Sequence, residues 1–465
     1  MRVTSRHARA VLRVFSLGSA MVLLAACSSP AAPAAKDAGK PVEAAKPAAT
    51  TAAAPAAQPA ATAAAKPAEA AKPAEAAKPA DAAKPAAGGG TVSCADHATK
   101  GGGGAPIKIG SSISLTGATS NFGVNMRRGV EICVKEFNEA GGYQGRQVEV
   151  VFLDDQVKPE IAVNNVVRFI TQDKVIGVLG PVNSGNGLAF RPKVEEAEIP
   201  TIVPIATSVS LVYDGPVYEE GKSKPSPWMF RASMQDNFQV ETILNYAKSK
   251  GWDAIGLMHD TTGYGTASKA TADKLIPAAG FKILETQTYN VGDTDMTSQL
   301  QKLQQAGVKQ IINFGLGPED ANLLRSAQKI NYKVQFSGAW GFSDPVVPEL
   351  AGKDLVEGVI TVASFTNDQS PAAADFAKKM DAAYKENPFP ITSAQGYDAT
   401  KMMLQALSKA GPDAKKLRDS IEGIEGFQGV TAAPAKPFGP ARHHSLEGKD
   451  MFAAIYKGGV LSKAQ

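Results

Sequence analysis

Ser184 lies in the stretch VIGVLGPVNSGNG, residues 175–187, where an apolar run stops at Gly180-Pro181 and gives way to serine, asparagine and glycine. A buried strand that turns into a helix has this form, and the LAFRPKVEEAEIP that follows keeps helical spacing. Three chemistries suit a serine at such a turn. A Walker-type phosphate cradle needs a Lys-Ser or Lys-Thr pair after its second glycine, and Gly185-Asn186-Gly187-Leu188 supplies neither. A nucleophile elbow needs glycines two residues either side of the serine, and position 182 is valine. The third is a neutral pocket in which the hydroxyl and free N–H groups at a helix start hold a carboxylate. A serine that only caps its own helix is the simpler reading of this stretch alone.

The remaining chemistry-bearing residues are sparse. The histidines are His7, His97, His259 and the pair His443-His444. His259-Asp260 closes a strand, but no second pair stands at metal-ligand spacing, so neither a metal site nor a catalytic constellation is indicated. No cofactor motif is present. The loops LTGATSNFG, GPVNSG, PIATS, HDTTGYG, FGLGPED and SGAWGFSDP are rich in Gly, Ser, Thr and aromatic residues. That composition suits holding a small molecule better than reacting with it.

These loops separate short apolar runs from amphipathic stretches. From Ile107 the order is IKIGSSI, GVEICVKEFNEAGG, VEVVFLDD, EIAVNNVVRFITQD, VIGVLG, the segment after Ser184, then TIVPIA. The alternation restarts at AIGLMHD and runs through YGTASKATADKLIPAAG, FKILETQTY, MTSQLQKLQQAG, QIINFGL and EDANLLRSAQKIN. Strands alternating with crossover helices predict an α/β fold of two doubly wound parallel-sheet lobes. Ligands of such sheets sit at the strands' carboxyl ends, where these loops fall.

The N-terminal residues carry Arg2, Arg6, Arg9 and Arg13 without an acid, then VFSLGSAMVLLAA leading into Cys27. This reads as a secretory signal over residues 1–26, too short to span a membrane. Leu24-Ala25-Ala26-Cys27 resembles the bacterial lipobox, which makes Cys27 a lipidation site. Losing the four arginines would bring the formal charge from +4 to zero, so no basic surface for nucleic acid is expected. Residues 27–104 read as an Ala/Pro/Lys-rich tether, with AAKPAE repeating every six residues and almost nothing large and apolar to bury. About 75 such residues would reach roughly 50 Å. Cys94 and Cys133 are candidates for a disulfide in an oxidising compartment, although Cys133 also fits the apolar face of VEICVKEF.

Taken together, ISLTGATSNFG, FNEAGGYQGRQVEVVFLDDQ, VIGVLGPVNSG, IPTIVPIATS, LMHDTTGYGTA and FGLGPEDANLLRSAQKINYKVQFSG resemble the periplasmic binding proteins for branched-chain amino acids, the solute receptors of ABC importers. The resemblance covers Ile107 to about Gly459, in order. It implies the type I periplasmic binding protein fold, two lobes that close on ligand like a trap. Its three crossings would fall near Arg231, Phe365 and Pro434. Lobe 1 would then comprise 105–231 and 366–434, and lobe 2 would comprise 232–365 and 435–465. It further implies that Ser184 and Gly185 bind the ligand carboxylate, with Ile205 (through its backbone) and Thr207 beside them. Phe122 would be a first-loop aromatic, and Tyr264 a second-lobe tyrosine that closes over the ligand. The implied partners are a small-molecule ligand, a membrane permease with its ATPase, and the membrane itself through the lipid. The protein is expected to be a monomer at the extracytoplasmic face of the cell membrane or in the periplasm.

One departure stands out. The family's second-lobe loop matching SGAWGFSDP usually places an acid against the ligand ammonium, and here that position is Trp340. Amino acids and aromatic acids therefore remain level as ligands, with Asp344, Glu319 or Asp320 able to supply the charge if the loop match shifts by a few residues. An enzyme and a sensory ligand-binding component are the competing classes.

Overall fold

The computed structural model describes residues 91–386 and 388–464. The signal sequence, Cys27 and most of the tether lie outside the described residues. Among the described residues, twelve strands and twelve α-helices follow one another, for most of the chain in the expected alternation. The first series is β1 (Ile107–Ile113), α1 (Ser120–Glu139), β2 (Val148–Asp154), α2 (Pro159–Arg168), β3 (Val178–Leu179), α3 (Ser184–Glu196), β4 (Thr201–Val203) and β5 (Met229–Arg231). The second comprises α4 (Asp236–Ser249), β6 (Ala254–Asp260), α5 (Gly263–Ala278), β7 (Lys282–Tyr289), α6 (Thr297–Gln305), β8 (Gln310–Phe314), α7 (Gly317–Lys329) and β9 (Gln335–Gly338). It continues through α8 (Val346–Ala351), α9 (Lys353–Val356) and β10 (Ile360–Ala363). Three helices, α10 (Pro371–Tyr384), α11 (Pro390–Ala410) and α12 (Ala414–Glu422), precede the closing strands β11 (Phe452–Lys457) and β12 (Val460–Lys463).

The strands form two sheets, one of order β2-β1-β3-β4-β5 and one of order β12-β11-β10-β9-β8-β6-β7. The first sheet is parallel throughout. The second is parallel from β7 to β10 and ends in an antiparallel pair, β11 and β12. That edge departs from the all-parallel expectation: β11 enters antiparallel to β10, and Gly458 and Gly459, with positive φ of 59° and 78°, let two residues reverse the chain into β12. In each sheet the strand order reverses beside the first strand laid down, β1 or β6, and the loops at those carboxyl ends face one another.

Helix α1 shows how sequence becomes packing. Phe122, Met126, Val130, Cys133 and Phe137 recur every three or four residues and are all buried, which draws one stripe down the helix. That stripe lies on α11, whose residues 391–407 are buried on all sides. The two backbones touch where neither carries a side chain: a Cβ at Gly129 would stand 1.9 Å from the Ser393 carbonyl oxygen, and one at Gly396 2.5 Å from that of Met126.

The tether ends earlier than the sequence suggests. Val92 and Cys94 are buried, Cys94 is disulfide-bonded to Cys133, and Thr99 pairs with Tyr143. Glu136 of α1 fastens this segment by accepting from the Ser93 hydroxyl at 3.0 Å and the Cys94 N–H at 2.8 Å. It also accepts from the Tyr397 hydroxyl and pairs with Lys379, which holds the Glu136 carboxyl below its usual range despite its partial burial. Residues 443–445 run beside Arg231, whose N–H donates to the His443 carbonyl at 2.7 Å and whose carbonyl accepts from Ser445 at 2.9 Å.

Candidate functional site

Phe122, Ser184, Ile205, Thr207, Tyr264 and Trp340 line a single cavity between the facing loops, together with Thr119, Val182, Asn183, Leu316 and neighbouring backbone. It leaves about 30 Å³ for the centres of water-sized groups, above the 10–15 Å³ or so that one water needs. Gly185 is not part of the lining. Its N–H is already taken, donating to the Asn183 side chain at 2.9 Å.

That bond also resolves the role of Ser184. Asn183 is the N-cap of α3, so the serine is released from capping. Its Oγ accepts from the Ser208 N–H at 3.3 Å, which leaves the hydroxyl proton for a further acceptor. Ser184 stands at the first helical position, where unpaired N–H groups and the helix dipole favour an anion.

The loop that carries Ile205 and Thr207 is held from behind by Arg231, which is fully buried. Its guanidinium donates to the carbonyls of Ala206 and Ser208, and Ser233 adds a bond to the Ala206 carbonyl at 3.0 Å. Burial lowers the Arg231 guanidinium to about 10, with Asp236 opposing, so it stays charged at neutral pH. Asp236, also fully buried, accepts from Ser268 at 2.7 Å and Gln239 at 3.2 Å and is pushed above its usual range by burial.

Tyr264 is placed by the turn before it. Thr262 caps α5 by accepting from the N–H groups of Tyr264 and Gly265, while Asp260 accepts from the Thr262 N–H at 2.8 Å. Burial and three acids, Asp236, Asp260 and Asp320, push the Tyr264 phenol well above its usual range, so it remains a neutral donor. Trp340 is 4% exposed, and its backbone N–H donates to the Gln239 side-chain carbonyl at 3.1 Å. Its ring meets Phe122 edge-on at 5.2 Å, and Phe122 in turn meets Phe389 at 4.7 Å, an apolar wall on one side of the cavity.

The two faces of the cavity therefore differ in charge. The α3 face presents a helix N-terminus with Arg231 behind it. The opposite face has Asp260 and Asp320 behind Tyr264, and burial raises Asp260 to about 6. Asn121 of α1 donates to Asp344 at 2.9 Å across the same gap. Sequence reasoning missed this bond, and neither residue sits in a motif that announces it. His259 stays outside the cavity and bonds to the Asp260 carbonyl at 2.8 Å. Among the described residues no group of three His, Cys, Asp or Glu side chains could hold a metal ion, and no helix is long and apolar enough to cross a membrane.

Two α/β lobes with a polar, aromatic-walled cavity at the carboxyl ends of their strands define a ligand-binding protein of the type I periplasmic binding protein fold. The chain belongs to the periplasmic binding protein family, whose model matches residues 106–458. A relative in Pseudomonas aeruginosa, the leucine-, isoleucine-, valine-, threonine- and alanine-binding protein, is 28% identical over 320 residues, 68% of this chain and 82% of the relative. A Leu/Ile/Val-binding protein homologue of Brucella suis is 29% identical over 310 residues, 66% of this chain and 79% of its own. Among solved structures, a type 1 periplasmic binding protein of Bordetella pertussis superposes with a TM-score of 0.70 at 30% identity, covering 77% of this chain and all but 1% of that one. A branched-chain amino acid transporter substrate-binding protein of Streptococcus pneumoniae, solved with isoleucine, shares the fold at a TM-score of 0.67 and 24% identity, covering 77% and 97%.

Proposed function

We propose that this protein is an extracytoplasmic solute receptor that closes two lobes over a small carboxylate-bearing molecule and delivers it to an ABC importer. The ligand class is a branched-chain or related amino acid, or an aromatic acid. One observation carries the reading: Ser184, free of capping duty at the start of α3, lines one cavity with Tyr264 and Trp340. In this reading the Ser184 hydroxyl and the backbone of Ile205 and Thr207 hold the carboxylate. Phe122 and Trp340 pack on the apolar part, and Tyr264 closes from the second lobe. The names of the Pseudomonas and Brucella relatives support an amino acid.

The lobes would turn about three connections, at Arg231, at Phe365 and at residues 443–445. The permease and its ATPase would receive the ligand from the closed form. Cys27 would carry the lipid that keeps a monomeric receptor at the membrane. Calorimetric titration of the purified body with leucine, phenylalanine, benzoate and 4-hydroxybenzoate tests the function. Saturable binding of at least one, returned unchanged, is expected, and binding of none would overturn the reading. Tight leucine binding that Trp340→Ala left untouched would show that the pocket is drawn wrongly.

A further inference from the structure

The connection between β4 and β5 carries a loop, residues 214–224, that the cavity does not use. It leaves the first sheet's side and rejoins it through a closed neck. Tyr213 and Pro225 pair antiparallel, the Asp214 N–H donates to the Lys224 carbonyl at 3.1 Å, and the Ser226 N–H donates to the Val212 carbonyl at 2.6 Å. The neck is tied to α3, the helix that begins at Ser184. Arg191 of α3 donates to the Ser210 carbonyl at 2.8 Å and pairs with Glu195 at 2.7 Å, and Glu195 accepts from the Ser226 hydroxyl. Beyond the neck the loop folds on itself, the Glu219 carbonyl accepting from the N–H groups of Lys222 and Ser223. A loop closed at its neck and bonded within is a compact unit of the Ω type.

The body of this loop rests on helices of the second sheet. Helix α4 packs on β10 and β11, and α5 connects β6 to β7. The Tyr218 N–H donates to the Asn237 side chain of α4 at 3.1 Å, and Asn237 is oriented by donating in turn to Glu241 at 2.6 Å. The Tyr218 ring meets Phe238 of α4 at 6.2 Å and His444 at 4.6 Å, both edge-on. Thr271 of α5, 1% exposed, donates its hydroxyl to the Pro216 carbonyl. One loop thus holds α3 at its neck and α4 and α5 at its body. The starts of α3 and α5 also touch at Gly185 and Gly263, so these contacts belong to lobes that have been brought together.

We propose that residues 214–224 are a strap across the two lobes, engaged when they meet and undone when they part, so that ligand release is timed by this loop as well as by the cavity. The proposal rests on the two-lobe trap above and adds a contact outside it. Opening has to break the Thr271–Pro216 and Tyr218–Asn237 hydrogen bonds and lift the Tyr218 ring from Phe238 in one step, because a single compact loop carries all three. Each contact of this kind is worth roughly two- to tenfold in an equilibrium. Neither Tyr218 nor Thr271 lines the cavity, so both act on release through closure and not through the ligand.

Tyr218→Ala and Thr271→Val test the strap, with Tyr218→Phe as control, because the Tyr218 hydroxyl makes no hydrogen bond among the described residues. The probe is leucine, or whichever of phenylalanine, benzoate and 4-hydroxybenzoate binds. Its release, followed by stopped-flow fluorescence, should be about threefold or more faster in the first two variants, with association nearly unchanged. Tyr218→Phe should release as the wild type does. Without ligand, small-angle scattering should give Tyr218→Ala and Thr271→Val a larger radius of gyration than the wild type, since fewer molecules are held shut. Release less than about threefold faster in either variant would overturn the proposal, and a lowered unfolding midpoint alongside it would mark a loop that only packs. An unchanged ligand-free radius would overturn it as well. If none of the four acids binds, the trap reading fails by itself, and the ligand-free radius alone decides the strap.

Discussion

Gly185 and Gly263 meet backbone to backbone across the cleft, at the starts of α3 and α5. A Cβ built at Gly263 would lie 2.5 Å from Gly185 Cα, and one at Gly185 3.2 Å from Gly263 Cα. The two helix ends can approach this closely only because neither carries a side chain. Gly263 is helical and needs no left-handed backbone. Gly263→Ala should therefore leave the open form unstrained and even favour α5 by up to about 1 kcal/mol. Closure is where the methyl group clashes. The expected outcome is unchanged or raised thermal stability with ligand affinity reduced about tenfold or more. Small-angle scattering should show a radius of gyration that shrinks on ligand addition in the wild type and not in the variant. Equal contraction in both would refute the closed contact.

Adjacent residues in the same turn should separate binding from stability. Asn183→Ala removes the cap of α3 and should cost about 0.5–2 kcal/mol in denaturant unfolding. Ser184→Ala removes a hydroxyl that caps nothing but accepts from the buried Ser208 N–H at 3.3 Å, so stability should fall by about 1 kcal/mol while affinity falls by about 1–3 kcal/mol. Chemical denaturation and calorimetry on both variants check the split, and loss of stability at Ser184 with affinity intact would contradict it.

Cys27→Ser should move the protein from the membrane fraction to the soluble fraction, since the remaining segment before the body offers little apolar surface. Deleting residues 31–90 should leave ligand affinity intact while impairing uptake by whole cells. Fractionation and transport of labelled ligand read the two effects, and a loss of binding on deletion would show that this segment belongs to the body.

Acid should act where residues 443–445 run beside Arg231. His444 is buried with its Nδ1 2.6 Å from the Tyr213 hydroxyl, and burial lowers it to about 3. The unfolded chain holds that proton up to about pH 6.5. Between these values the unfolded state binds more protons, so stability is lost as pH falls through the window, by at most about 5 kcal/mol. His444→Gln should be less stable than the wild type at pH 7.5 by about 1–3 kcal/mol, from the lost hydrogen bond and ring contacts. That deficit should narrow progressively from pH 6.5 to 4. A deficit that does not vary with pH would rule out His444 as the source.

The alternation of apolar runs and amphipathic stretches made both lobes legible, because crossover helices and parallel strands impose their own periods on the chain. Loops at strand ends were legible for a related reason: Gly180-Pro181 and Gly263 interrupt a pattern that is otherwise regular. Pairings distant in sequence were not. Nothing local says that Asn183 rather than Ser184 caps α3, because both are good caps and the choice is made by where the turn places each side chain. Cys94 and Cys133 were legible as a candidate bridge and are joined, but no periodicity discloses that Glu136, three residues further along α1, also fastens residues 93 and 94.

The Cys94–Cys133 bond also decides how the body bears tension. Any pull applied ahead of Ser93 reaches Cys94 first and crosses the disulfide into the middle of α1, bypassing the 38 residues in between, which include all of β1. Load then enters a helix clamped along α11, where many contacts must yield together, and β1 carries none of it. With the bond reduced, the same pull would pass into β1 at Ile107 and strain its pairings with β2 and β3 directly. The crosslink makes the end of the body a mooring point, mechanically separate from the loops that line the cavity.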